Sequence, residues 1–163
     1  VQNFNPRRLY APFIISFAFR MFIGEYSHSV DEKGRVSVPA KFRQDLATGV
    51  VVTRGLDHCL FVYPRAEWEI MASKLASLPI SQKKSRAFAR LMLAGAWDAM
   101  LDGQGRVILP EYLRQYAGIS KQVVVAGLYN RVEIWDEDAW QEYKAKTEAE
   151  SDDIAEAMGS LGV

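Results

Sequence analysis

The sequence predicts an α+β fold, mainly β, built from two tandem β-β-α-β-β-α repeats, and three observations carry that reading. The first is a duplication: DEKGRVSVPAKFRQ from Asp31 returns as DGQGRVILPEYLRQ from Asp102 at a constant offset of 71 residues. Asp31 falls on Asp102, Gly34 on Gly105, Arg35 on Arg106, Val36 on Val107, Pro39 on Pro110 and Arg43 on Arg114. The register holds upstream, with Gly24 on Gly95 and Tyr26 on Trp97. One added residue shifts it to 72 downstream, with Gly55 on Gly127, Tyr63 on Trp135 and Trp68 on Trp140. A register kept over about fifty residues marks an internal repeat. The second observation is apolar alternation with period two giving way to helical spacing within each copy. The third is turn chemistry at the boundaries between those segments.

The elements of the first repeat follow in order. From Ile23 to Val30, Tyr26, His28 and Val30 share one face and Glu25, Ser27 and Ser29 the other, as in a half-buried strand. Asp31-Glu-Lys-Gly34 has the Asp-first, Gly-fourth pattern of a type I turn closing a hairpin, with the glycine free to take positive φ. Arg35 to Pro39 is the returning strand, and its proline opens a short helix over Ala40 to Leu46. A second strand pair, Val50 to Arg54 and Leu60 to Tyr63, turns through Gly55-Leu56-Asp57. Trp68, Met71, Leu75 and Leu78 then recur at helical spacing. Neither copy has enough strands to close a barrel, and its strand edges need pairing; two copies together can close.

Between the copies, SQKKSRAFARLML reads as a helix with Ser81 as its N-cap and Phe88, Leu91 and Met92 on one side. It carries Lys83, Lys84, Arg86 and Arg90 with no acid. A solvated face on a connector and a functional basic face both remain open. The segment from Lys144 onward is polar and acidic, and it is expected to fray. Residues 1 to 20 lie outside the repeat and precede Met21. Pro12 interrupts their apolar run and no small-residue cleavage site follows, so a signal peptide is the weaker reading. A disordered arm or an extended start is the expectation there.

Composition excludes several functions. The chain has 163 residues, 49% of them hydrophobic, which is the makeup of a globular protein of one domain or two small ones. Formal net charge is zero, so binding of nucleic acid must come from local placement of charge rather than overall balance. One cysteine, Cys59, forms no intrachain disulfide, and two histidines with one thiol give no metal-ligand spacing. No metal or cofactor is expected. The adjacent His58 and Cys59 suggest a catalytic pair, but neighbours on a strand point to opposite faces. Two duplicated aspartates suggest a proton-sharing dyad. A protease-like dyad wants a small hydroxyl residue and a glycine after each Asp, and the followers here are Glu32-Lys33 and Gly103-Gln104. Each Asp is followed four residues later by arginine across a tight turn, where a carboxylate–guanidinium pair forms easily. Asp31 and Asp102 are therefore read as turn-stabilising residues, with Gly34 and Gly105. Arg35 and Arg106 are either their partners only or free to act beyond them.

Asp-x-x-x-Arg in each of two tandem repeats, GLDHCLFVYP after the first and GLYNRVEIW after the second resemble the MraZ family of bacterial transcriptional regulators. The resemblance covers Met21 to about Tyr143. It implies the swapped-hairpin fold of the AbrB superfamily, with both hairpins interleaved into one β-barrel by a single chain and helices at the periphery. The boundaries that follow are a first SpoVT-AbrB-like repeat over 21–79, a basic connecting helix over 80–93, a second repeat over 94–143 and a polar tail over 144–163. The resemblance further implies a ring-shaped homo-oligomer that binds repeated G-containing boxes in a promoter of the division and cell wall gene cluster, hence a cytoplasmic, nucleoid-associated protein.

Local chemistry assigns roles within that expectation. A rigid tip presenting Lys33 and Arg35 can enter a groove, where arginine pairs bidentately with the O6 and N7 edge of guanine. Lys41 and Arg43, just beyond, suit phosphate contacts that set register. Arg106 is the secondary reader, because Gln104 replaces Lys33 in its tip. The alternative function is a ring-forming protein-interaction scaffold without specific DNA binding, for which Trp68, Trp97, Trp135 and Trp140 are candidate contacts, although aromatics at such positions are more often core. An enzyme is a distant third, since no nucleophile, base and orienter combine.

Overall fold

A computed structural model describes residues 21–162, and the expectations for residues 1–20 lie outside those described. The elements are strands β1 (Phe22–Ser29), β2 (Arg35–Ser37), β3 (Val50–Arg54) and β4 (Leu60–Pro64) in the first copy. The second copy supplies β5 (Trp97–Ala99), β6 (Arg106–Ile108), β7 (Gln122–Tyr129) and β8 (Val132–Asp136). A 3-10 turn over Ala40–Phe42 runs into α1 (Arg43–Leu46). The other helices are α2 (Arg65–Ala76), α3 (Lys83–Ala89), α4 (Glu111–Tyr116), α5 (Glu137–Ala149) and α6 (Ser151–Met158). The fold is α+β and mainly strand, as the pattern predicts.

Within a copy only β3 with β4 and β7 with β8 pair as strands; the other strand pairings run between the copies. The large antiparallel sheet has six strands in the order β1-β7-β8-β4-β3-β5, and β2 pairs with β6 in a second sheet. The first strand of each copy pairs with the third strand of the other: β1 lies along β7 from Phe22↔Tyr129 to Ser29↔Gln122, and β5 lies along β3. Strand β4 meets β8, and β2 meets β6 centred on Val36↔Val107. The expected two-stranded hairpin between β1 and β2 is thus reduced to its tip, where Val30 bridges Val36. The reason is length and bonding. Strand β2 has three residues and ends before Pro39, so it cannot satisfy the eight residues of β1, whereas β7 offers eight.

One core lies beneath both sheets. Phe22, Val30, Val36, Phe42, Leu46, Val52 and Leu60 of the first copy meet Val107, Leu113, Val125 and Ile134 of the second in a single cluster. The buried face of β1 is the one the alternation indicates. A smaller cluster on the other side of the large sheet gathers Cys59, Phe61, Tyr63, Leu75, Met92 and Trp135, with Trp68 and Trp140 against it. Three tryptophans are therefore packing residues, while Trp97 on β5 is 42% exposed.

Three local expectations are corrected. Gln82, not Ser81, is the N-cap of α3, and it makes no side-chain cap bond. Phe88 is exposed while Met92 is buried, because a π-helical stretch over Arg90–Ala94 rotates the apolar face after Ala89. The tail begins as helix rather than fraying: α5 crosses residues 143 and 144, capped by the Asp136 carboxylate, which accepts from the Asp138 and Ala139 amides.

The β1–β7 contact has no spare room at Gly127, where a Cβ would come within 2.5 Å of the Phe22 carbonyl carbon and 2.6 Å of the Ile23 nitrogen. Gly127→Ala is expected to destabilise the protein by about 1–3 kcal/mol, because backbone has to move. Hydrogen exchange of the β1 amides should rise more than that of β3 and β4. Uniform exchange in the variant would show that β1 docking is not the point of strain.

Candidate nucleic-acid interface

Each duplicated turn is built on one carboxylate. Asp31 Oδ1 accepts from the Lys33 amide at 2.9 Å and the Arg35 amide at 3.0 Å, while Oδ2 accepts from Arg35 Nε at 2.7 Å. Arg35 Nη2 lies 2.7 Å from the same Oδ2. Asp102 repeats the arrangement with the Gln104 amide at 2.9 Å, the Arg106 amide at 3.0 Å and Arg106 Nε at 2.8 Å. Both guanidinium nitrogens meet one oxygen, since the other is spent on the turn. Gly34 and Gly105 take φ of 75° and 74°, which only glycine adopts without strain, so the Asp-first, Gly-fourth pattern is realised in both tips.

The two tips stand side by side. Val38 donates its amide to the Gly105 carbonyl at 2.9 Å and Leu109 donates to the Gly34 carbonyl at 2.8 Å, related by the local pseudo-twofold between Val36 and Val107. Arg106 Nη1 comes 3.8 Å from Asp31 Oδ2, so the two carboxylate–arginine pairs adjoin. Beneath each tip lies an arginine from the other copy. Arg43 donates Nε to the Val38 carbonyl at 2.9 Å, and a Cβ at Gly105 would strike its guanidinium; Arg114 donates Nε to the Leu109 carbonyl at 3.0 Å and lies under Gly34. The repeat alignment pairs Arg43 with Arg114, but the bracing of the opposite tip, and with it the role of Arg114, has no signal in the sequence.

The remaining expected residues are placed as follows. Lys33 is exposed at the first tip. Lys41 is exposed on the 3-10 turn, its Nζ 4.8 Å from the centre of the Tyr26 ring, a cation–π contact that orients the ammonium. Five cationic side chains, Lys33, Arg35, Lys41, Arg43 and Arg106, thus belong to the two tips and the turn that follows the first. The His58–Cys59 pair is disposed of by geometry: His58 sits in the turn with φ of 59°, while Cys59 is buried, and burial pushes its thiol far up from its ordinary value. Such a thiol is not a nucleophile near neutral pH.

The Arg35 side chain and amide hold the Asp31 carboxyl down at about 2, and the Arg106 amide and side chain lower Asp102. A depressed folded-state value contributes stability that is present above the ordinary carboxylate value, near ~3.9, and lost as pH falls through the folded one. Thermal melts between pH 4 and 2 should therefore fall more steeply for the parent than for Asp31→Asn. Equal slopes would mean that the tip carboxylate gains nothing on folding.

A duplicated chain with reciprocally exchanged first strands, whose two Asp-x-x-x-Arg turns meet at a pseudo-twofold, is a protein of the swapped-hairpin class. The profile of one family, described as "MraZ protein, putative antitoxin-like", matches residues 21–91 and again 92–160, one match per copy. A "Transcriptional regulator MraZ" of Carboxydothermus hydrogenoformans is 49% identical over 138 residues, covering 85% of this chain and 96% of that protein. Its namesake in Halothermothrix orenii is 49% identical over 143 residues, covering 88% of this chain and all of that protein, at 100%. The one in Natranaerobius thermophilus is 50% identical over 138 residues. The chain belongs to the MraZ family, a family of transcriptional regulators rather than of enzymes.

Proposed function

We propose that the chain is a sequence-specific DNA-binding transcriptional regulator that reads repeated G-containing boxes upstream of the division and cell wall gene cluster, as a cytoplasmic, nucleoid-associated protein. The observation that carries this reading is the pair of Asp-held arginines standing side by side on rigid tips. Arg35 meets Asp31 through its Nε and Nη2 edge, so its Nη1 side lies outside the ion pair and can face a base. A carboxylate that fixes an arginine in advance lowers the entropy lost when that arginine binds. Lys33 makes the first tip the more basic, which favours Arg35 as the base reader and Arg106 as the secondary one. Lys41 and Arg43 supply phosphate contacts, Arg43 through its Nη groups.

A neutral chain with few cationic contacts binds well when copies are linked, because each further contact becomes intramolecular. The homo-oligomer, a ring, supplies that linkage. No helix among the described residues is long and apolar enough to cross a membrane.

The direct test is fluorescence anisotropy of the purified protein on its own upstream promoter DNA against a scrambled duplex across a range of salt. Preference for the promoter duplex is expected at every salt. Equal affinity for both duplexes would overturn specific recognition and leave the scaffold. Lys41→Ala is expected to weaken binding to both duplexes about equally and to flatten the salt slope by roughly 1, as loss of one phosphate contact does.

A further inference from the structure

We propose that the groove between α2 and α3 receives helix α6 of a second copy of this chain, joining copies head to tail. The inference rests on the homo-oligomer of the preceding reading and names the surfaces that make it.

Helix α6 is amphipathic, and among the described residues of its own chain none covers it. Ile154 and Met158 on α6, and Leu161 on the 3-10 turn Gly159–Leu161 that follows it, recur at separations of four and three residues and are 40%, 40% and 70% exposed. Every described residue from Glu148 onward is exposed. The helix continues α5 through an i to i−4 ladder, with Glu150 N donating to Lys146 O at 3.1 Å and Ile154 N to Glu150 O at 3.0 Å. Its base is held to the body by Tyr143 against Trp135, at 4.9 Å between ring centres, and by Lys144 on Glu25 at 2.7 Å. An apolar stripe on such a projecting helix marks an interaction surface.

The groove is its complement in shape and charge. It has a volume of about 230 Å³, with Leu75, Leu78, Ile80 and Ala89 as apolar walls and Arg86 and Arg90 beside them. Ile80 is 80% exposed at its mouth. Arg86 Nη1 donates to the Ile80 and Ser81 carbonyls at 2.7 and 3.0 Å, which ties down the α2–α3 connection and preforms the groove. The stretch from Pro79 to Gly95 has four basic residues and no acid, while Thr147 to Val163 has five acids and no base. At helical spacing, Glu150 and Asp153 run along one side of the α6 stripe; Arg90 lines the groove, and Lys83, seven residues earlier, falls in line with it at the groove's rim. Groove and helix are different surfaces, so the contact is heterologous and repeats from copy to copy until it closes.

The test is sedimentation velocity of the full chain and of two charge-reversed variants, Lys83→Glu/Arg90→Glu and Glu150→Lys/Asp153→Lys, with circular dichroism to check folding. The parent should be an oligomer, and each variant should associate at least about tenfold more weakly, because like charges then face each other. Mixing the two variants should restore assembly with alternating copies, and combining all four substitutions in one chain should restore it as well. A helix folding back on its own groove would not be rescued by mixing, and that result overturns the proposal. So does parent-sized assembly by both variants, or failure of both rescues. A monomeric parent would overturn the homo-oligomer itself, whereas an oligomeric parent with indifferent variants would overturn only this assignment of its surfaces.

Discussion

Phe42→Ala is expected to lower stability by about 3–5 kcal/mol, the range for removing a buried aromatic ring from a packed core. Phe42 is 2% exposed, and its ring meets Phe22 edge-on at 5.2 Å and Tyr26 at 5.6 Å. Both partners lie on β1, whose backbone bonds go to the second copy. The ring therefore fastens to its own copy a strand that hydrogen-bonds to the other. Removing it should loosen both copies together, and differential scanning calorimetry should show one lowered transition. Two separate transitions would mean that the copies are independent units. Phe42→Leu, which keeps most of the volume, should cost much less.

Arg35→Ala is expected to weaken specific DNA binding by about 1–3 kcal/mol, roughly five- to 150-fold, and to relax preference at one guanine of the box. Melting should fall less than for Asp31→Ala, because Asp31 Oδ1 keeps the Lys33 and residue 35 amides when the guanidinium is removed. Asp31→Ala should do the reverse, lowering melting temperature before sequence preference, since it removes those amide bonds as well as the ion pair. Arg106→Ala should affect specificity less than Arg35→Ala. The paired measurement is anisotropy on the native box and on a box with its guanines replaced, alongside melting curves. If Arg35→Ala binds normally yet melts early, the arginine is only the aspartate's partner and the base-reading role is lost.

The element order was legible because the duplication lets two noisy patterns be read against each other. Gly34 and Gly105, aligned by the repeat, both require positive φ, and Asp31 and Asp102 both cap their turns. Strand partners were not legible, because alternation along β1 specifies which face is buried and says nothing of which strand lies beside it. Only the resemblance to a known family anticipated the exchange. The bracing arginines escaped for a similar reason: Arg43 reads locally as a cation after a helix start, and its contact with Gly105 is made across the fold. In the acidic tail polarity suggests fraying, whereas Glu137 and Asp138 in the first turn of α5 favour a helix that carries into it.

The exchange of first strands also orders events during synthesis. Phe22 waits for Tyr129, more than a hundred residues further along the chain, before its strand has a neighbour. At about 5–20 residues per second, that delay is roughly 5–20 s on the ribosome. During it the nascent β1 carries unpaired amides and an uncovered Phe22, a surface that chaperones bind and that invites pairing with the same strand of another nascent chain. A message truncated before the codon for Gln122 encodes a product with no place to put its own first strand.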